Sequence, residues 1–559
     1  MAPDCDPEWT AKRRPHHAIE SDVVRVSPSR PRGRPLTEGM ARPRLERRIL
    51  AVVLGLGLVA PIVAATAAVS RVTASHGVAW AVGGSVAAGA FAAAWHIGTR
   101  FPASLDGAIG RHPVRAGLWG LVALVALFQL GRLGAFMADP TNTFGSAFPD
   151  PVLTHHMCMS AYVQAGALAR DGDANVYDEH HWPAFSMKAG EKNPGAPSTV
   201  FELGPIIEDP YEYPPQFLLL PRLALAFTNH FWIIRAAWFA VQTVGFLTVA
   251  LALAGSIAGS EGIAAGLLIP VLVASIPLLV NLQWGQAHLL TFTLTMGSWV
   301  AFRSSRAPLG GVLLGAATVF KLFPGLIILY LALGRRFRDA GWALGACMAL
   351  TLFALAVFGR SPFAAFLQYQ LPRIGSGEAF SFFRREWFYI SRNIGVSGIV
   401  FKLGLLGVPG MTAALANAVG WIYTLLLMGL VVRAARQPER ASLDDATLWM
   451  GLLCLGSLRS PLAPGIYVAV GAVWLLMLLA IRFHRPRDLV LIVLAFLIVP
   501  GPPRLPSVQT DIAVVLAGQF VMLGVAFWAV WGRQPHTSMP LWQMHEQNEP
   551  SPGVQPKPG

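Results

Sequence analysis

Between residues 137 and 212 the chain carries Asp139, Asp150, His155, His156, Asp171, Asp173, Tyr177, Glu208 and Asp209, with apolar stretches on both sides. Carboxylates and imidazoles are the side chains that take a proton from a weak nucleophile near neutral pH. A second polar segment, 359–397, holds Arg360, Arg373, Arg384, Arg385 and Arg392 against Glu378 and Glu386. Clustered arginines bind phosphate through charge-assisted hydrogen bonds. Lys321 lies inside an apolar stretch, where a cation needs a partner or a path to water. Together these residues suit removal of a proton from one reactant and capture of an anionic group on another. At a lipid–water boundary, that combination points to an enzyme rather than a passive pore. Two bland readings stay open: arginines touching lipid headgroups, and Lys321 snorkelling to an interface.

The elements that must position these groups are membrane helices. Of 559 residues, 54% are hydrophobic and 13% charged, where a soluble domain carries roughly a quarter charged. Apolar runs cover 49–70, 77–97, 114–136, 231–254, 262–282, 340–358, 412–434, 464–481 and 510–532. Each is near the length of a spanning helix, roughly 17–25 residues. A lipid-exposed backbone must satisfy its own hydrogen bonds, so the expected fold is an all-α polytopic bundle. With shorter segments included, about 12 spans are expected.

Basic residues orient such a bundle. Eight arginines lie from Arg25 to Arg48, which puts the N-terminus in the cytoplasm and 137–212 outside. The net charge of +13 is therefore read as topology, not nucleic-acid binding. Residues 1–48 and 534–559 have the composition of disordered cytoplasmic tails around a membrane domain over 49–533. Cys5, Cys158, Cys347 and Cys454 are scattered, so neither a disulfide framework nor a metal is expected.

Two stretches do not fit a simple count of crossings. Arg303, Arg306, Arg335, Arg336 and Arg338 all belong inside, yet only 308–334 separates the two groups. That stretch breaks at Lys321-Leu322-Phe323-Pro324. Two half-helices in a re-entrant hairpin would keep both basic ends on one side; a full span with one basic end outside is the rival. Residues 214–228 are short and are equally open between dipping and crossing.

Several motifs then line up in order. Tyr213-Pro214-Pro215 opens an apolar run that ends in Leu220-Pro221-Arg222, and Gly285-Gln286-Ala287-His288 opens a later helix. Gly310-Gly311 and Gly315 precede Phe320-Lys321-Leu322-Phe323-Pro324, and Ser460-Pro461 precedes a late helix. In order and spacing the chain resembles glycosyltransferase family 87, the polyprenol-phosphate-mannose-dependent mannosyltransferases of the GT-C superfamily. The resemblance implies a GT-C-like helical bundle in a bacterial inner membrane, with a cavity facing the periplasm. It also implies transfer of a hexose, mannose by analogy, from a polyprenyl-phosphate donor to a glycolipid or polysaccharide acceptor with inversion. The family commonly places an Asp soon after the helix that leaves the cytoplasm. Here that position reads His156-Met157-Cys158-Met159, with Asp150 further upstream. The aromatic and His that often follow the late Ser-Pro are replaced by Leu462-Ala463-Pro464-Gly465-Ile466-Tyr467.

The expected roles follow. The base is Asp150, with His155, His156 and Asp139 as alternatives, although Pro149-Asp150-Pro151 also reads as a turn. Lys321, Arg373, Arg384, Arg385 and Arg392 would hold the donor phosphate. Tyr177, Glu208, Asp209, Tyr213, Gln286 and His288 would contact sugar or acceptor. The partners are membrane lipid and the two substrates, with no cofactor beyond the lipid-linked sugar. A flippase for a lipid-linked saccharide is the alternative from another class.

Overall fold

In the computed structural model the described residues are 45–73, 76–99, 113–139, 156–182, 206, 209–257, 259–379, 387–437, 440–482, 486–499 and 505–532. Asp150, His155, Glu208, Arg384 and Arg385 lie outside them, as do both tails apart from the start of the Leu45–Val72 helix. The described residues form helices, with one isolated bridge between Asn393 and Pro464. Eight helices are long and apolar enough to cross a membrane. A ninth crossing is possible if Gly259–Ala274 and Ile276–Trp284, bent by 62°, make one broken span. These nine coincide with the nine apolar runs of the sequence. The expected figure of about 12 is larger; among the described residues the shorter apolar helices are Pro215–Phe227, Ala307–Phe320 and Val396–Leu405.

The stretch 307–333 is broken as its sequence suggests, into Ala307–Phe320 and Gly325–Leu333. Its neighbours decide between crossing and turning back. A Cβ on Gly311 would meet Trp342, and one on Gly315 would meet Ala346 and Cys347. The contacts advance together along both chains, so Ala307–Phe320 runs parallel to Phe337–Phe358. The piece between them must therefore reverse direction. At the open end, Arg336 lies over the Phe302 ring, and Phe302 packs on Gly310. Both basic ends sit at one level, and Lys321 is at the tip of a re-entrant hairpin. Small residues let the backbones approach this closely.

The short helix over Pro215–Phe227 does not reach spanning length by itself. It packs on the Cys158–Arg170 helix, where Gly166 abuts Pro221. The Cys158–Arg170 helix is buried along nearly its whole length, so it belongs to the core rather than to an exposed loop. The late loop 459–465 is tied down by Asn393. Its Nδ2 donates to Pro461 O at 2.9 Å, and its Oδ1 accepts from Ala463 N at 2.9 Å.

Candidate active site

Five chain breaks converge on one cavity of about 1570 Å³. They are the entry to Cys158–Arg170, the 209–214 loop, the turn at Gly285-Gln286, the hairpin tip at Lys321 and the loop 459–465. Helix ends leave backbone groups unsatisfied, so breaks gathered in one place make a polar chamber inside an apolar bundle. Gly285 makes its turn possible. It sits at φ 65°, a left-handed conformation, with Met159 Cβ 3.1 Å from where a Cβ would stand. Its carbonyl accepts from Trp238 Nε1 at 2.9 Å. Replacing Gly285 by Ala should cost about 1–3 kcal/mol of backbone strain, read as a lower midpoint of thermal unfolding in detergent.

A hydrogen-bonded network covers one wall. Gln286 Oε1 accepts from Tyr213 Oη at 2.7 Å and from Tyr162 Oη at 3.2 Å. With its oxygen so engaged, its Nε2 donates to Cys158 Sγ at 3.2 Å. His156 Nε2 lies 3.2 Å from Asp209 Oδ2 and 2.9 Å from Tyr467 Oη. Asn281 Nδ2 reaches the carbonyls of Ile466 and Tyr467 at 3.3 and 3.2 Å, which fixes where Tyr467 starts.

Two carboxylates face this chamber from the 209–214 loop. Burial pushes the Asp209 carboxyl above its usual range, while His156 and the hydrogen bond from Cys158 pull it back. Burial pushes Glu212 well above its usual range; Asp209 adds to the rise and Lys321 opposes it. Both carboxylates keep a face on the cavity, so the effect is strongest when lipid or substrate displaces water. Among the described residues, Asp209 is engaged by His156 while Glu212 makes no hydrogen bond.

Cations line the same cavity. Lys321 Nζ stands 4.6 Å from the centre of the Tyr213 ring. Arg459 bonds Thr424 Oγ1 and covers the Trp421 ring. No carboxylate pairs with either among the described residues. Phe323, beside the hairpin tip, packs on Gly456, three residues before Arg459. Arg392 also lines the cavity, but Asp511 holds it at 2.7 Å.

Residues 211–461, which include Glu212, Lys321 and Arg459, match the family model of glycosyltransferase family 87. The match covers 251 of the chain's 559 residues, and over that segment the chain is similar to the family. The chain is a membrane glycosyltransferase, as its motifs suggest. No curated protein and no solved structure matches it.

The glycosyltransferase brings together His156, Asp209, Tyr213, Gln286, His288, Lys321 and Arg392 from the sequence expectations. Others stand apart from the cavity. Asp139 pairs with Arg71 at 2.7 Å, and Arg373 pairs with Glu179 and Glu378. Tyr177 donates to the Tyr213 carbonyl at 2.9 Å, supporting the loop from behind. Four cavity residues were not singled out in the sequence: Cys158, Glu212, Arg459 and Tyr467. Glu212 had a visible signal, being an acid inside Tyr211-Glu212-Tyr213-Pro214. Arg459 had one too, directly before Ser460-Pro461.

Proposed function

We propose that this glycosyltransferase moves a hexose, mannose by family analogy, from a polyprenyl-phosphate donor to a hydroxyl of a glycolipid or polysaccharide acceptor, with inversion. The observation that carries the reading is that Glu212, with no hydrogen bond, and Lys321 and Arg459, with no carboxylate partner, among the described residues, share one cavity. Glu212 takes the proton from the acceptor hydroxyl as its oxygen attacks the anomeric carbon. The bond from that carbon to the phosphate oxygen breaks, and polyprenyl phosphate leaves. Lys321 and Arg459 stabilise the charge that grows on the departing oxygen. Attack from the side opposite the phosphate inverts the centre. The phosphate is already a good leaving group, so no general acid is needed.

The location of the basic residues supports an outer-face site. Arg303, at the end of Ala287–Arg303, bonds Ser442 Oγ, and Arg482 pairs with Asp444. That helix is 17 residues long, so these groups lie about 25 Å from the cavity end. A basic belt marks the cytoplasmic side of an inner-membrane protein, which leaves the cavity toward the periplasm.

The test is a transfer assay. Purified protein given labelled polyprenyl-phosphate hexose and a lipid acceptor should release polyprenyl phosphate and yield glycosylated acceptor with inverted configuration. Movement of a lipid-linked saccharide across vesicles without transfer would instead assign a flippase. The assay also settles Asp150: an Asp150→Asn variant should keep most of its activity if Glu212 is the base.

A further inference from the structure

We propose that His156, Cys158 and Asp209 form a binding site for a divalent transition-metal ion of the zinc class. His156 Nε2, Cys158 Sγ and an Asp209 carboxylate oxygen all lie within 4.8 Å of one another. Nε2 is 3.6 Å from Sγ and 3.2 Å from Oδ2. Tetrahedral zinc, with its usual bond lengths to nitrogen, sulfur and oxygen, would set those separations at about 3.6 and about 3.3 Å. Two of the three separations thus already match an ion's requirement, and the third, sulfur to carboxylate, lies within 4.8 Å.

Three further features favour a metal over hydrogen bonds alone. Nε2 faces Asp209 Oδ2, Tyr467 Oη and Cys158 Sγ together, and a single ring N–H cannot serve all three. The Gln286 amide is locked by the Tyr213 and Tyr162 hydroxyls so that its N–H points at the sulfur. Such a donor stabilises a thiolate, the form that binds metal. The set of one thiolate, one imidazole and one carboxylate suits zinc or cobalt rather than magnesium or calcium.

Three protein ligands would leave a fourth position, and all three donors line the cavity together with Tyr467. Glu212, three residues beyond Asp209, remains available as base. An acceptor hydroxyl bound at that fourth position would lose its proton more readily. This catalytic role rests on the transferase reading; occupancy of the site does not.

Metal content tests the site without any turnover. Full-length protein in detergent, stripped and reloaded with Zn²⁺, should retain about one ion per chain after desalting, as expected of a single three-ligand site. Reloading with Co²⁺ should give a thiolate-to-cobalt charge-transfer band and the intense visible bands of a tetrahedral site. Cys158→Ser should remove the charge-transfer band, and His156→Ala should lower retention several-fold. Cys454→Ser and Cys347→Ser, at free cysteines elsewhere, should change neither. Absence of the band in the unaltered protein overturns the proposal whatever the variants do. Persistence of the band in Cys158→Ser, with its elution volume unchanged, overturns it as well.

Discussion

Glu212→Gln is expected to lower sugar transfer by about 10²–10⁴-fold, the usual range for losing a positioned general base. The substitution keeps size and shape and removes only the proton-accepting charge. Binding of the donor should change little, so the loss should fall on kcat. Glu212 is half-buried and makes no hydrogen bond among the described residues, so the fold should tolerate the amide. Removing a carboxyl held above its usual range by burial should leave the thermal midpoint unchanged or raise it. A loss of activity with an unchanged midpoint identifies chemistry. Wild-type transfer rates in Glu212→Gln would remove Glu212 as the base and return attention to Asp209 or Asp150. Asp209→Asn is the necessary comparison, because its carboxylate is engaged by His156.

Lys321→Met should reduce transfer by about 10²–10³-fold, comparable to deleting one donor from a site that stabilises developing charge. Met preserves the stem that crosses the Tyr213 ring while deleting the cation. Because the phosphate is charged before and after the bond breaks, part of the loss should appear as a higher donor KM. Lys321 occupies the tip of a hairpin whose first arm is held against the Phe337–Phe358 helix at Gly311 and Gly315. Arg459→Lys gives the complementary measurement. It keeps the charge but loses the guanidinium that bonds Thr424 and lies over Trp421, so a smaller loss is expected. Transfer unaffected by Lys321→Met would place the donor phosphate elsewhere in the cavity.

The apolar runs were legible because lipid demands long uninterrupted helices, and nine runs became eight long helices plus one bent pair. The interruption at Lys321-Leu322-Phe323-Pro324 was equally plain. Its direction was not, because only Gly311 against Trp342 and Gly315 against Ala346 show the arm running parallel to the next helix. At the site, Tyr213, Gln286 and Lys321 were legible because each is a polar residue at a break in an apolar pattern. Asp139 and Arg373 were misleading for one shared reason. Each has a partner far away in sequence, Arg71 and Glu179, that a linear pattern does not reveal, although Arg373 also pairs with Glu378 five residues on. Cys158 and Asp209 escaped notice as a unit because helix 158–170 and loop 209–214 meet only after folding.

The interval of one 17-residue helix between the basic residues and the cavity has a consequence for supply. In the proposed orientation, a sugar headgroup presented in the leaflet beside the basic end would need a carrier to move it through the hydrocarbon. In sealed vesicles, donor confined to that leaflet should remain unused, while the same donor in the opposite leaflet is consumed. On the proposed reading, glycosylation in an intact membrane therefore also depends on traffic of the lipid carrier in both directions, because the spent phosphate would be released on the side where the product stays.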